Sequence, residues 1–595
     1  MMYIKLVKHL NTLNYYRKTK ISNRNFLVIA ALLVGVFAGL AASLLKAITH
    51  HIEDFLQTGF HWEYKYYLFF FFPFIGILLS VMYVRKFIVK GKFETGLTPL
   101  LYTISRKSSK VESHNIYSQI ITAALTVGFG GSTGLEAPIV TSGSGIGSIV
   151  GRFFGLSYRE TTLLLACGAA AGISAAFNSP IAGIVFAVEI LLPEFTIPAF
   201  IPLLLASATA AVVARFFFNE QLFFLVTEGW KINAIGYYVV LAVLIGLFSL
   251  YFTKANYFVK TSFYRLRHPY KKVMAGGMIL GLLVFLFPAL YGEGYVTIKS
   301  LLAGNYTALV NNSIFSDYSN ISWVVILFTV ITIFAKSVAT LVTLGAGGNG
   351  GIFAPSLIVG GLMGFLLAYT ANVLGIAHLN VANFIVAGMA ASLSAIMHAP
   401  LTGIFLIAEI TGGYVLMVPL MIASAISYLI NRSINKYSIY TKRLAEKGEL
   451  LSHEDKDTTV LNMMKLKYLV ERDHLVLYEN DRLSVKMGAI LGSKRNIFPV
   501  LSADGAFLGI LNMEDVLSHT VKNSTEVEVK DLWVPAPAAV TVDEGMDKVL
   551  QQMEKENVWM LPVLNSTHNF VGFVSKTAIF NKYRALLKRQ ADYLA

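Results

Sequence analysis

Glu136 stands in GFGGSTGLEAP (128–138), a carboxylate among glycines, an alanine and a proline, with no basic residue in the ten positions before it. GAGGNGGIFAP (345–355) repeats the pattern without the acid. A flexible, glycine-rich turn followed by proline and an apolar run is the start of a helix. There the first backbone N–H groups lack partners and the positive end of the peptide dipoles accumulates. Such an end attracts anions. Each terminus contributes about 1–2 kcal/mol in a partly buried setting, and each N–H bond to a charged partner adds about 1.5–3 kcal/mol. The candidate anion contacts are therefore Gly134, Leu135, Glu136 and Ala137 in the first motif and Gly351, Ile352, Phe353 and Ala354 in the second. No intramembrane Lys or Arg is expected beside either motif, and a site of amides and dipoles lets an anion both bind and leave. Glu136 can fill that site as a tethered anion and vacate it when protonated, which makes it a gate. The competing readings are a first-turn acid that only stabilises its own helix and glycines that only let helices pack closely.

The elements that must position these motifs are themselves duplicated. AFNSPIAGIVFAVEI (176–190) returns as AIMHAPLTGIFLIAEI (395–410), so a unit of apolar helices at about 117–218 recurs at about 323–431. Broken helices at matching places in two membrane halves point to a transport site. Glu189 and Glu409 occupy the same place in the two copies and are expected to satisfy exposed backbone N–H groups rather than to relay protons. His398, the counterpart of Asn178, is expected as a hydrogen-bonding helix-end residue. Neither an HExxH spacing nor paired cysteines accompany it, so no metal site is expected. Cys167 is expected to be a small packing residue.

Charged residues make up 14% of the 595 and hydrophobic ones 55%, a balance unlike that of a soluble chain of this length. Segments able to span a bilayer run at 25–49, 66–84, 232–252, 273–290 and 323–342, besides those within the repeats. The first is read as a retained anchor after a basic leader at 1–25, not as a cleaved signal. The net charge of +14 is concentrated in the leader and around 85–110, 254–272 and 432–447, which the positive-inside rule places in the cytoplasm with both termini. The segments at 52–63, 219–228 and 293–317 are assigned outside. Repeat one then runs inside to outside and repeat two outside to inside. Inverted copies of this kind bring their broken helices together near the midplane. A cell (inner) membrane is the expected location, with membrane lipid as surroundings and no nucleic-acid partner.

From about residue 446 to 595 no span remains and charges are frequent. FPVLSADGAFLGILNMEDV (498–516) is echoed by LPVLNSTHNFVGFVSKTAI (561–579), each reading as strand, turn, strand and helix start. This resembles the paired CBS module, a cytoplasmic α/β regulatory fold. The resemblance implies an adenine nucleotide as a candidate ligand, contacted by Asn512 and Asp515 in one copy and by Ser575, with Ala578, in the other. A dimerisation and gating module without any ligand is the equal alternative.

Taken together, the residues resemble the CLC family of chloride channels and proton/chloride antiporters. The family's GGIFAP is present at 350–355 and its gating glutamate is matched by Glu136 in GLEAP. The resemblance implies an all-α polytopic membrane domain (26–445) with inverted repeats, chloride amides at Ile352 and Phe353, and a homodimer with one pathway per subunit. It also implies a pore tyrosine matched by Tyr437 in NKYSIYTKR, although spacing alone equally suits an interfacial aromatic. Three departures stand out. Gly96, in TGLTP, replaces the family's chloride-contacting serine; Leu135 replaces a usual cation; and Ile190 stands where antiporters carry a second, proton-relaying glutamate. Since an aliphatic side chain takes no proton, the expectation is a proton-gated chloride channel with weak or no coupling, and the alternative is a proton/chloride antiporter. More distant alternatives are a membrane sensor working through its CBS pair and an intramembrane hydrolase. No enzymatic activity, catalytic residue or required cofactor is expected.

Overall fold

The computed structural model describes residues 20–58, 65–88, 93–192, 197–217, 229–311, 313–447, 449, 461, 464–522, 527–565 and 567–591. Most of the basic leader, and parts of the segments assigned outside, lie beyond the described residues. The chain forms two compact units, 1–450 and 451–595.

The first unit is built from helices because its apolar runs leave the backbone no partner but itself in lipid. Nine helices among the described residues are long and apolar enough to cross a membrane. In chain order the helices are α1 (Asn23–Thr58), α2 (Lys65–Phe87), α3 (Thr98–Arg106), α4 (Asn115–Gly128), α5 (Glu136–Phe153), α6 (Tyr158–Phe177), α7 (Pro180–Phe186), α8 (Ile197–Phe217) and α9 (Ile235–Arg265). There follow α10 (Pro269–Leu286), α11 (Tyr295–Leu302), α12 (Ala308–Asn311), α13 (Ser322–Ala346), α14 (Phe353–Val373), α15 (Val381–Met397), α16 (Pro400–Ile410), α17 (Met417–Ile434) and α18 (Lys442–Glu446). The expected span at 273–290 starts earlier and stops at Leu286, giving way to a 3₁₀ turn at Pro288–Leu290. Pro288 has no N–H with which to continue the ladder.

The duplication is a structural one, α5–α8 recurring as α14–α17. Helix α6 ends on Asn178 in the left-handed region (φ 54°, ψ 39°) and α15 ends on its mate His398 at φ 58°, ψ 41°. Each is followed by a proline that starts the next helix, so the chain reverses at the same point in both copies. Where α5 crosses α6, a Cβ on Gly143 would lie 2.2 Å from the carbonyl oxygen of Gly168. In the second copy a Cβ on Gly360 would lie 2.2 Å from that of Gly388. Backbone touches backbone at both crossings, which only glycine permits. Cys167 sits beside the first crossing, fully buried.

The second unit holds two copies of one motif. In the first copy β1 (Leu477–Tyr478) pairs parallel with β2 (Ile497–Leu501), which pairs antiparallel with β3 (Phe507–Asn512). In the second copy β4 (Val540–Thr541), β5 (Met560–Leu564) and β6 (Phe570–Ser575) repeat that order. Each copy lends a strand to its neighbour: Glu471 bridges Phe573 and Val534 bridges Ile510. The three candidate nucleotide contacts are engaged within the fold. Asn512 Nδ2 donates to Asp515 at 3.0 Å, and Ser575 Oγ donates at 2.6 Å to Glu471, which is ion-paired with Arg495 at 2.6 Å.

Replacing Gly388 by Val should drive a side chain into the Gly360 backbone and lower the thermal unfolding midpoint of detergent-purified protein by several degrees, in line with overpacking costs of about 1–3 kcal/mol or more. A static light-scattering or tryptophan-fluorescence melt checks this; Gly413→Val, where a Cβ would meet only Val415 Cγ2 at 4.0 Å, should melt like the parent.

Candidate functional site

The two glycine-rich motifs meet. Gly134 N–H donates to the Gly351 carbonyl at 2.9 Å and Gly351 N–H donates to the Gly134 carbonyl at 2.8 Å, an antiparallel two-residue bridge between the copies. Thr133 Oγ1 adds a bond of 2.8 Å to the same Gly351 oxygen. Behind the second motif, Asn349 is fixed to repeat one: its N–H donates to Thr126 Oγ1 at 3.0 Å and its Nδ2 to Gln119 Oε1 at 2.8 Å and Thr122 Oγ1 at 2.7 Å. Irregular backbone is thereby satisfied without water, and the first turns of α5 and α14 are left side by side.

Glu136, only 3% exposed, is the first residue of α5, and its side chain does not lie along its own helix. It folds across to the other copy. Oε2 accepts from Ala354 N–H in the first turn of α14 at 3.4 Å, and Oε1 accepts from the Tyr295 hydroxyl at 2.8 Å. A Cβ on Gly134 would lie 2.1 Å from that Oε2, so glycine at 134 is what opens the carboxylate's path. Glu136, Ala137, Val140 and Phe353 line a narrow chamber with Leu97, Ile173, Phe186 and Tyr440, and it has no room for a water-sized body. The carboxylate lies against the first turn of α14.

The tyrosine in this chamber is Tyr440, which corrects the assignment of Tyr437. Tyr440 is 7% exposed, and its hydroxyl is buried with no partner among the described residues. Its carbonyl is pinned by Thr98 Oγ1 at 2.9 Å. Tyr437 is only half-buried, under the Lys436 ammonium, 5.6 Å from the ring centroid. The turn after α17 carries the chain three residues further before it enters the wall, and two tyrosines so spaced cannot be told apart by pattern. Likewise Leu97, not Gly96, lines the chamber; Gly96 sits at φ 82° in the turn before α3 and has open space where a Cβ would be.

The expectation of no cation near the motifs is overturned. Lys46 of α1 faces Glu136 and also Glu293 within electrostatic reach, and its Nζ donates to the Ala176 carbonyl. Lys336 of α13, fully buried, donates to the carbonyls of Gly292 at 2.9 Å and Leu290 at 3.4 Å. Lys46 comes from a helix distant in sequence, whereas Lys336 lies in α13, which runs into the second motif itself, so only Lys46 was beyond the reach of linear proximity. Glu293, assigned to an outside segment, is part-buried and accepts from Leu135 N–H at 3.0 Å. Glu293 and Tyr295 were thus missed as parts of the site; the only signal was their glycine-flanked setting in YGEGY.

Glu189 and Glu409 cap each other's repeat. Glu189 accepts from Leu401 N–H at 3.1 Å, Thr402 N–H at 2.8 Å and Thr402 Oγ1 at 2.7 Å, all at the start of α16. Glu409 accepts from Ile181 N–H at 3.0 Å and Ala182 N–H at 2.8 Å at the start of α7. Glu189 and Ile190 lie on a π-helical turn, Ala187–Leu191, and Ile190 packs against the core. His398 Nε2 meets Asn431 Oδ1 at 3.0 Å, the helix-end role expected of it. No cluster that could hold a metal occurs among the described residues.

With this geometry in place, the comparisons with known proteins are specific. Residues 76–432 match the family described as "Voltage gated chloride channel", and residues 529–585 match the CBS domain. The chain is 31% identical over 332 residues to the putative chloride channel protein ClcB-like of Ralstonia nicotianae, covering 54% of this chain and 72% of that one. It is also 31% identical over 342 residues to the H(+)/Cl(-) exchange transporter ClcA of Vibrio parahaemolyticus, covering 55% and 69%. Among solved structures, a slow cyanobacterial Cl-/H+ antiporter superposes with a TM-score of 0.61 at 22% identity over 72% of this chain and 99% of that one. A eukaryotic CLC transporter does so with a TM-score of 0.58 at 18% identity over 94% and 99%. These structural likenesses bear on the fold.

Tyr440→Phe should weaken chloride binding about 10-fold or more, the worth of a hydrogen bond to a charged partner, whereas Tyr437→Phe should bind like the parent. Isothermal titration with chloride separates the two; equal affinities for Tyr440→Phe and the parent would remove the hydroxyl from the site.

Proposed function

The chain belongs to the CLC family of chloride transport proteins, a multi-pass membrane family of anion transporters, and from that premise we propose that it exchanges chloride for protons with Glu136 as both gate and proton carrier. The observation that carries this is the seat of the Glu136 carboxylate, held between the Tyr295 hydroxyl and the Ala354 amide inside the closed chamber. When ionised, the carboxylate is the chamber's own anion. When protonated it loses its charge-assisted bonds, each worth about 1.5–3 kcal/mol, and a chloride ion takes the amides of Ile352, Phe353 and Ala354 with the Tyr440 hydroxyl. Chloride and proton thus alternate at one place, the arrangement an exchanger needs. Further support comes from the relatives at 31% identity that are H(+)/Cl(-) exchange transporters. The proposal includes a homodimer with cytoplasmic termini, no enzymatic activity and no required cofactor.

A second reading, a proton-gated chloride channel with weak or no coupling, is favoured by Ile190 and by Glu189, whose two oxygens are committed to the α16 amides. Neither residue offers an inner relay, so protons would cross along water if they cross at all.

Flux from proteoliposomes with simultaneous pH recording decides between them. An imposed chloride gradient should drive uphill proton movement, with voltage clamped by an ionophore, and acid should activate chloride flux. Glu136→Ala should retain chloride flux while losing both proton movement and acid activation. Acid-activated chloride flux without proton movement would select the channel reading, and wild-type acid activation in Glu136→Ala would place the proton sensor elsewhere.

A further inference from the structure

Besides its bridge to Gly351, the turn that presents Glu136 is held by a loop, residues 288–295. Three anchors fix this loop. Lys336 Nζ bonds the Gly292 and Leu290 carbonyls, at 2.9 and 3.4 Å. The Tyr291 hydroxyl donates to the Gly128 carbonyl at 3.0 Å, and the Tyr291 ring lies against Gly130, where a Cβ would be 2.3 Å from it. Gly294, at φ 97°, turns the chain into α11 with Lys336 Nζ 3.3 Å from where its Cβ would stand. So anchored, the loop delivers two side chains two residues apart to the gate: Tyr295 to the Glu136 carboxylate at 2.8 Å and Glu293 to the Leu135 amide at 3.0 Å.

That second contact is unusual for its place. Leu135 N–H belongs to the glycine-rich turn whose amides face an anion, and here a carboxylate of the protein already accepts from it. Glu293 therefore sets a second carboxyl one residue from the gate, on an element other than the gate's own. We propose that Glu293 is a second carboxylate of the gate, a positioning residue that holds the Leu135 amide and, by its charge, sets the pH at which Glu136 gives up the anion site. The inference rests on the reading of Glu136 as a proton-operated gate.

The other ionisable groups around the pair are few and can be named. Glu136 is faced by Tyr295 of α11, Lys46 of α1 and Tyr440 of the turn after α17. Glu293 is faced by Lys46, His50 and Glu53 of α1, by Lys336 of α13, by Tyr295 and by Glu136 itself. Two carboxylates and two ammonium groups make up the inner cluster. A neighbouring negative charge favours the neutral form of a carboxyl and a neighbouring positive charge favours the ionised form. Removing the Glu293 charge leaves Lys46 acting on Glu136 without its counterweight, so more acid is needed to protonate the gate.

The test is the pH profile of chloride efflux from proteoliposomes for the parent, Glu293→Gln, Lys46→Gln and Glu136→Gln. Glutamine at 293 keeps an acceptor for Leu135 N–H and discards only the charge, so a purely structural Glu293 would leave the profile in place. The expected result is an acid-activation midpoint displaced by about one pH unit to lower pH in Glu293→Gln, a displacement to higher pH in Lys46→Gln, and a flat profile in Glu136→Gln. A flat Glu136→Gln with an unmoved or upward-moved midpoint in Glu293→Gln overturns this inference and spares the gate. Should Glu293→Gln fail to assemble, an unmoved or downward-moved midpoint in Lys46→Gln overturns it instead. Parent-like acid activation in Glu136→Gln overturns both the gate and its second carboxylate.

Discussion

Two backbone hydrogen bonds between Gly134 and Gly351, at 2.9 and 2.8 Å, are what the rest of the membrane unit is arranged around. Inside a bilayer every N–H and C=O must be paired within the protein. A helix that begins near the midplane breaks that rule, since its first turn has no upstream partners. Two such helices begin here, and each glycine-rich approach satisfies the other. The consequence is chemical: the approach segments are paired with each other, while the amides at the starts of α5 and α14 are left to carboxylates, Leu135 N–H to Glu293 and Ala354 N–H to Glu136. A narrow chamber lined by Glu136, Phe353 and Tyr440 is what remains where two unfinished helices complete one another.

The same exchange between copies recurs at the next break. Glu189 of the first repeat closes the start of α16, and Glu409 of the second closes the start of α7. A carboxylate accepting two amides at a helix start adds both hydrogen bonds and a favourable dipole interaction. These acids are spent on architecture, whereas Glu136 has one long bond to Ala354, at 3.4 Å, and one to the Tyr295 hydroxyl, at 2.8 Å. Glu189 accepts from two amides and a hydroxyl at one helix start, whereas Glu136 reaches across to an amide of the other copy and to a phenol. Lys46, from a helix distant in sequence, faces both Glu136 and Glu293, and Lys336, from the helix that leads into the second motif, faces Glu293.

Much of this was legible in the residues. The duplication, the inverted copies, the place of Glu136 at a helix start, the capping role of Glu189 and Glu409 and the helix-end role of His398 all follow from local pattern and repetition, because each depends on which residue types sit at a helix end. The strand–turn–strand–helix copies of the second unit were equally plain. What pattern could not supply was tertiary. Tyr437 and Tyr440 share one short segment, and only the path of the turn after α17 places the second in the wall. Glu293 reads as a loop acid until the loop is seen folded inward over Leu135. Lys46 reads as a charge within an anchor helix, and nothing linear connects it to a motif ninety residues away. The nucleotide contacts Asn512, Asp515 and Ser575 matched by position, yet their polar atoms are turned on partners within the fold, which position alone does not disclose.

The claim on which the account stands is that the Glu136 carboxylate occupies the anion site. Crystals of Glu136→Gln grown or soaked in bromide, measured at the bromine absorption edge, test it directly. An anomalous peak beside the amides of Phe353 and Ala354 and within hydrogen-bond distance of the Tyr440 hydroxyl is the predicted result. Bromide found only elsewhere in the membrane unit, with the α14 amides bare, would contradict it.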